Sequence, residues 1–302
     1  MKIDIVMPTK NSGGTIGRAL DAMLSALAGR PFQLIIVDGG STDDTLTVIQ
    51  KKVRNAVILT ENIGSQALAV NIGVKASKGQ YVCFLDSDVI VPRNFFSKLL
   101  SYFTDPEIGA VEASLMTIPG SLIYDFGVSY MPLELKGSVV AEGASRACLI
   151  VRRKIMDFDV DSRLKVAEDI YLTQYIIGVK KKKIIRDNDV RCLHIRGFSV
   201  WGDFKRGMRY CYYQALDYYL LPKWLKYNHV LERERARAIL YLMASLLVIP
   251  LPAIWLFRLR KHKEKKLKYG VIGWLFRLGN RVGLLLGFLR WARTEEPTFV
   301  RG

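Results

Sequence analysis

Residues 82–88, Val82-Cys83-Phe84-Leu85-Asp86-Ser87-Asp88, run four apolar side chains straight into two carboxylates separated by one small residue. An unbroken apolar run of this length suits a strand covered on both faces, as in a parallel sheet between helix layers. Ligands of such sheets sit beyond the carboxyl ends of the strands, the end from which Asp86 and Asp88 emerge. A D-x-D pair there can hold a hard divalent cation and, through it, a diphosphate. The same residues also make an ordinary acidic turn, since Asp and Ser favour turns. The neighbouring segments weigh towards the ligand reading.

Taken in order, the chain alternates strand and helix patterns up to Asp86. Residues 3–7 read as a strand, followed by the turn-forming loop Pro8-Thr9-Lys10-Asn11-Ser12-Gly13-Gly14. A helical pattern runs through Ile16, Leu20, Met23, Leu24 and Leu27. The apolar run 34–37 ends in Asp38-Gly39-Gly40-Ser41-Thr42-Asp43-Asp44, where Ser41 or Thr42 can cap the next helix, through Leu46 and Ile49. Residues 57–59 form a third short strand and 67–76 a helix of small residues. This alternation predicts an α/β layer with right-handed crossovers, Rossmann-like, mostly parallel and flanked by helices.

Each strand end carries polar residues: Thr9 and Asn11, Asp38, Asn62 and Gly64, Asp86 and Asp88. Any one loop is plain turn chemistry; four at successive strand ends converge on one crevice. Further on, residues 111–115 and 148–151 read as strands bracketing the loop-rich segment Glu142-Gly143-Ala144-Ser145-Arg146. Glu168 and Asp169 open a helical pattern through Ile170, Leu172, Tyr175 and Ile176. Acids there complement the helix dipole, or supply a general base aimed into the crevice.

The ordered set Pro8-Thr9-x-Asn11, Val37-Asp38-x-Gly40-Ser41-x-Asp43, Asn62-x-Gly64 with Asn71-x-Gly73, Leu85-Asp86-Ser87-Asp88 and Glu168-Asp169 resembles that of family-2 glycosyltransferases, inverting enzymes of the GT-A fold. The resemblance covers about residues 1–200, the expected catalytic domain. It implies that Pro8, Thr9 and Asn11 line the nucleotide pocket with Gly64 and Ser87, and that Asp38 contacts the base. It places Asp86 near the ribose and metal, makes Asp88 a ligand of Mn2+ or Mg2+, and makes Asp169 the catalytic base. His194, closing the strand 190–193, stands where some relatives supply a further metal or diphosphate contact; a lone histidine is also a common structural residue. Gly39 and Val70 replace an Asp and an Arg found in many relatives, which leaves the nucleotide open. The Q-x-x-R-W pattern of processive synthases is absent: Gly287-Phe288-Leu289-Arg290-Trp291 lacks the glutamine, so addition of a single sugar is expected.

The net charge of +17 is uneven. Residues 1–177 hold 18 Lys and Arg against 19 Asp and Glu, whereas residues 178–302 hold 27 against 9. The last part of the chain therefore faces something anionic. Residues 238–257 are twenty without a charge, long enough to cross a bilayer as a helix, but Pro250 and Pro252 interrupt them. Seven basic residues follow between Arg258 and Lys268. A full span would put that run outside if the catalytic part is inside, against the positive-inside tendency. A re-entrant or in-plane helix is expected instead. A second helix over 269–292, with the stripe Trp274, Leu278, Val282, Leu285, Leu289 and with Arg277 and Arg281 off it, is expected at an anionic membrane interface. A buried helical pair or a transmembrane hairpin are the other readings of residues 201–302. The start Met1-Lys2-Ile3-Asp4 enters a strand pattern rather than a signal peptide. The expected location is the cytoplasmic face of the cell membrane. Four widely spaced cysteines, with no C-x-x-C pair, read as free thiols.

The expected partners are thus a nucleotide-sugar donor, a lipid-linked or other glycan acceptor, and an anionic membrane surface. A lipid phosphate is already ionised and needs no base, so the Glu168-Asp169 pair favours a hydroxyl acceptor over a polyprenyl-phosphate one. A basic nucleic-acid-binding protein is the rival class; the long uncharged run fits it poorly, and no nucleic-acid partner is expected.

Overall fold

In the computed structural model, residues 2–117, 135–195, 197, 199–221, 226–246 and 266–292 are described. The chain divides into two compact units, Met1–Pro119 with Glu134–Arg196, and Gly120–Leu133 with Gly197–Gly302.

The first unit begins with the expected alternation: β1 (Ile3–Thr9), α1 (Gly13–Leu27), β2 (Phe32–Asp38), α2 (Thr45–Lys52), β3 (Val57–Thr60), α3 (Gln66–Ala76) and β4 (Tyr81–Leu85). These strands lie parallel in the order β3-β2-β1-β4. Helix crossovers return the chain to the same edge each time, which is what parallel pairing requires. Every residue of β4 is buried, and α1 seats Ile16, Leu20, Met23 and Leu27 in the same core as Ile5, Met7 and Cys83. Register sets Thr9 beside Asp38 and Asp38 beside Thr60, so the first three strands end at one rim.

Beyond β4 the expectation of a mostly parallel sheet needs correction. The chain continues through β5 (Val89–Ile90), α4 (Phe95–Ser101), β6 (Ile108–Thr117), β7 (Ser138–Val140), β8 (Cys148–Arg152), α5 (Glu168–Gly178) and β9 (Lys183–His194). Strand order is β3-β2-β1-β4-β8-β6-β9-β5, with β7 also on β9. Of these later pairs only β6 with β9 is parallel; β8 is antiparallel to both β4 and β6. The sheet is mixed because β5 and β8 follow turns and irregular segments rather than helical crossovers. One consequence serves the site. Running against β4, strand β8 brings the loop before it, residues 142–146, to the rim where β4 ends.

In the second unit α6 (Val200–Leu220), α7 (Lys226–Leu246) and α8 (Lys266–Trp291) are described. Ser199 caps α6, its hydroxyl accepting from the Gly202 N–H at 3.3 Å. Helices α6 and α8 meet through glycines. A methyl at Gly279 would lie 2.6 Å from Phe204 Cε2, at Gly283 2.0 Å from the Met208 carbonyl oxygen, and at Gly287 2.3 Å from that of Tyr212. Contacts advance by four residues on both helices, so the two run parallel with backbones in direct apposition.

This revises the expected stripe on α8. Gly279, Gly283, Leu284, Gly287 and Phe288 form the buried face; Leu278, Val282 and Leu285 are half-buried, and Leu289 is 77% exposed. Arg281, expected off the apolar stripe, pairs with Glu234 on α7. Burial alone would raise the Glu234 carboxyl; Arg281 and Arg237 outweigh it and hold it below its ordinary value. Among the described residues no helix is long and apolar enough to cross a membrane. Residues 247–257 of the uncharged run, with both its prolines, and 258–265 of the basic run lie outside the described residues, as does the Trp274 side chain. The cysteines are free, with Cys83, Cys148 and Cys192 buried.

Candidate active site

Hydrogen bonds between side chains and neighbouring loops join the rim of the first unit into one connected assembly. Asn11, at φ +48°, takes the left-handed conformation that Asn tolerates better than most residues. Its N–H donates to Ser41 Oγ at 2.9 Å, and its side-chain oxygen accepts from the Thr42 N–H at 2.8 Å. The β1 and β2 loops are thereby fastened to each other. Ser41 and Thr42, expected as helix caps, are used in this contact instead. Asp44 occupies the cap position of α2, and Asp43 accepts from the Gly13 N–H at 2.9 Å.

Asp38 is buried and wrapped by its own loop. One carboxylate oxygen accepts from the N–H groups of Gly40 and Ser41 at 3.0 and 2.9 Å, the other from the Ser41 hydroxyl at 2.6 Å. Three donors fix its rotamer and set the floor of the first two loops. Thr9, also buried, lies beside it by register, with half-buried Pro8 next to it. The β3 loop turns around buried Glu61, which accepts from the N–H groups of Ile63 and Ser65 at 2.6 and 3.2 Å. Gly64 follows at φ +67°, where a side chain would be strained. Asn71 and Gly73 are structural here. The Asn71 amide exchanges two hydrogen bonds with the Val160 backbone at 2.7 and 2.9 Å, and a methyl at Gly73 would lie 2.2 Å from Val6.

The D-x-D residues go to three different partners. Ser87 shares a 2.8 Å hydrogen bond with Ser12, tying the β4 end to the β1 loop. Asp88 Oδ2 lies 3.0 Å from His194 Nε2, because β5 pairs with the end of β9 and sets Val89 opposite His194. Asp86 instead faces Arg146, whose Nη1 is 2.8 Å from Asp86 Oδ1. The Arg146 Nε donates to Glu168 Oε1 at 2.6 Å. Arg146 and Glu168 are 4% and 2% exposed, so this is a buried pair whose guanidinium must stay charged to compensate two carboxylates. Burial works against that charge; Asp86 and Glu168 outweigh it and push the arginine further up.

Asp169, next in the chain, is half-buried, with Oδ1 accepting from the Ile170 N–H at 3.0 Å. Of the two acids that open α5, Glu168 is taken up by Arg146 and Asp169 is the one solvent reaches. The rim thus gathers Thr9, Asn11, Asp38, Asp86, Ser87, Asp88, Asp169 and His194 through a chain of direct contacts and neighbouring positions.

Among the described residues no three potential ligands cluster around one point. The Asp88 and His194 pair offers one carboxylate and one imidazole. Such a set fits Mg2+ or Mn2+ where phosphate oxygens and water complete the shell. Asp86, engaged by Arg146, stands apart from that pair. Arg146 and its supports were not singled out from sequence. The available signal was a lone cation at the end of a loop, immediately before the buried run Ala147–Val151.

Residues 4–126 match the family described as Glycosyl transferase family 2. Over 107 residues the chain is 36% identical to the poly(ribitol-phosphate) beta-N-acetylglucosaminyltransferase TarP of Staphylococcus aureus, covering 33% of this chain and 32% of that one. Over 94 residues it is 36% identical to a poly(ribitol-phosphate) beta-glucosyltransferase of Bacillus spizizenii, covering 29% and 15%. The matched segment therefore spans about a third or less of these two relatives. Among solved structures, the mannosyltransferase PcManGT from Pyrobaculum calidifontis in complex with GDP-Man and Mn2+ superposes with a TM-score of 0.63 at 18% identity, over 96% of this chain and 87% of that one. At that identity the likeness bears on the fold alone, which is a GT-A-like α/β fold.

Proposed function

Residues 4–126 being a glycosyl transferase family 2 domain, we propose that the chain moves a single sugar from a nucleotide-sugar donor to a hydroxyl of a lipid-linked glycan or similar surface-polysaccharide acceptor, with inversion. The observation that carries this reading is the connected rim, where Asp88 beside His194 and the solvent-reached Asp169 stand at the ends of elements bonded to a common frame. The named activities of the two relatives, both acting on a poly(ribitol-phosphate), support a surface-polymer acceptor.

The chemistry divides among named side chains. The Pro8-Thr9 and Asp38 loops, with Asn11 and Gly64, form the nucleotide pocket, with Asp86 and Ser87 beside the sugar-phosphate end. Asp88 and His194 would hold Mn2+ or Mg2+, which, when bound, offsets the charge gained by the departing nucleoside diphosphate. Asp169 takes the proton of the acceptor hydroxyl, otherwise a poor nucleophile. One base and one leaving group on opposite faces of the anomeric carbon give a single displacement, hence inversion. The test is transfer from UDP-glucose, UDP-N-acetylglucosamine and GDP-mannose with Mn2+, with and without EDTA. EDTA and Asp88→Ala are each expected to lower transfer at least about 100-fold; full activity under both would remove the metal from the account.

We place the protein at the cytoplasmic face of the cell membrane through residues 201–302. Support comes from the basic surplus of this part and from exposed Trp201, Leu240 and Leu289 near the cations Lys205, Arg237 and Arg290 in sequence. Membrane fractions are expected to release the chain with detergent and not with 1 M salt alone. Full release by salt would reduce the attachment to charge.

A further inference from the structure

The loop that delivers Arg146 is built more firmly than a turn between two strands requires. The Ser145 N–H donates to Glu112 Oε1 at 2.6 Å, and the other oxygen of Glu112 pairs with Arg186 Nε at 2.7 Å. Arg186 also donates to the Gly143 carbonyl at 3.0 Å, and Gln174 of α5 to the Glu142 carbonyl at 2.7 Å. Burial raises the Glu112 carboxyl, with Arg186 opposing it. The Asp86 N–H donates to the Ala147 carbonyl at 3.1 Å, so backbone as well as side chain joins this loop to the end of β4. The guanidinium then faces two elements, Nη1 in an ion pair with Asp86 and Nε donating a hydrogen bond to Glu168.

Resting on the glycosyltransferase reading above, we propose that Arg146 is a positioning residue. Its fork ties the donor-binding end of β4 to the first turn of α5, and so fixes the distance between the bound sugar and the Asp169 base. Arginine suits this role because its nitrogens are rigidly splayed and permanently charged; lysine presents one point charge and satisfies one carboxylate well at a time. Glu168 matters through Arg146. Buried and paired, it is an anchor for the helix start, and Asp169 inherits its position from it. Displacement of a reacting group by about 1 Å can cost about 100-fold in rate, whereas the β1 and β2 loops of the nucleotide pocket are fastened to each other by bonds of their own.

Three full-length variants test this with the donor the wild type uses best among UDP-glucose, UDP-N-acetylglucosamine and GDP-mannose. Arg146→Lys keeps a buried cation. It is expected to lose about tenfold in kcat with donor KM within about threefold of wild type. Arg146→Met with Glu168→Met removes both members of the buried pair, which buried pairs often tolerate, and the carboxylate that loses its cation, Asp86, is one that solvent reaches. It is expected to melt cooperatively, keep the donor KM and lose about 100-fold in kcat. Arg146→Met alone is expected to lose at least as much. A wild-type kcat in Arg146→Lys, or in the folded double variant, overturns the proposal. So does a loss that falls on donor KM with kcat unchanged, since that assigns Arg146 to donor binding. A wild type that transfers from none of the donors overturns the enzyme reading itself.

Discussion

Asp169→Asn is expected to lower kcat for transfer by about 10²–10⁴-fold while donor binding and thermal stability stay near wild type. The substitution keeps the shape of the side chain and its place in the first turn of α5, where Oδ1 accepts the Ile170 N–H. What it removes is the capacity to take a proton. Glu168 cannot substitute for it, being 2% exposed and bonded through Oε1 to Arg146. Steady-state transfer and calorimetric titration with UDP and GDP read the two quantities separately. The outcome also discriminates between acceptor classes. A lipid phosphate arrives ionised, so near-normal transfer in Asp169→Asn would refute the hydroxyl acceptor in favour of a polyprenyl-phosphate one.

Gly283→Leu is expected to abolish the α6–α8 contact. At this position even a methyl would meet the Met208 carbonyl oxygen at 2.0 Å, and a backbone oxygen inside a helix cannot rotate aside as a side chain does. Gly283→Ala sets the scale. It gains about 1 kcal/mol of helix propensity but is expected to destabilise overall, since overpacking costs about 1–3 kcal/mol. Leu289→Ala, three-quarters exposed on the same helix, is the control and should fall within about 0.5 kcal/mol of wild type. Hydrogen exchange along α6 and α8 reports the change directly. Unaltered protection in Gly283→Leu would show that the two helices do not pack as described.

Local pattern explains how much of the first unit was legible. Strand, helix and strand-end loop follow each other within about twenty residues, and each loop betrays itself by Gly, Asp, Asn or Ser, so β1 to β4 and their polar ends can be read in order. The D-x-D end of β4 and the acids that open α5 were legible as candidates from their positions; the pairing of Asp88 with His194 was not, since it depends on β9 returning beside β5. Arg146 escaped because its meaning lies in two carboxylates 60 residues before and 22 after it. The antiparallel entry of β8 escaped for a like reason: direction is set by where the chain comes from, which no window of apolar residues records. On α8 the apolar stripe was visible and the packing face was not. Glycines score as neutral in a hydrophobic pattern, yet Gly279, Gly283 and Gly287 are where the helix meets its neighbour.

The parallel seating of α8 on α6 has a consequence for how the polypeptide matures. Met208 and its contact at Gly283 are separated by about 75 residues, and translation at roughly 5–20 residues per second delivers the later partner several seconds after the earlier. During that interval the face of α6 that α8 later covers, with Phe204, Met208 and Tyr212, lacks α8. Apolar surface exposed during synthesis in this way generally favours aggregation and chaperone binding. Starting the chain at α8 by circular permutation would lengthen the wait, because the first unit would then be synthesised between the two helices.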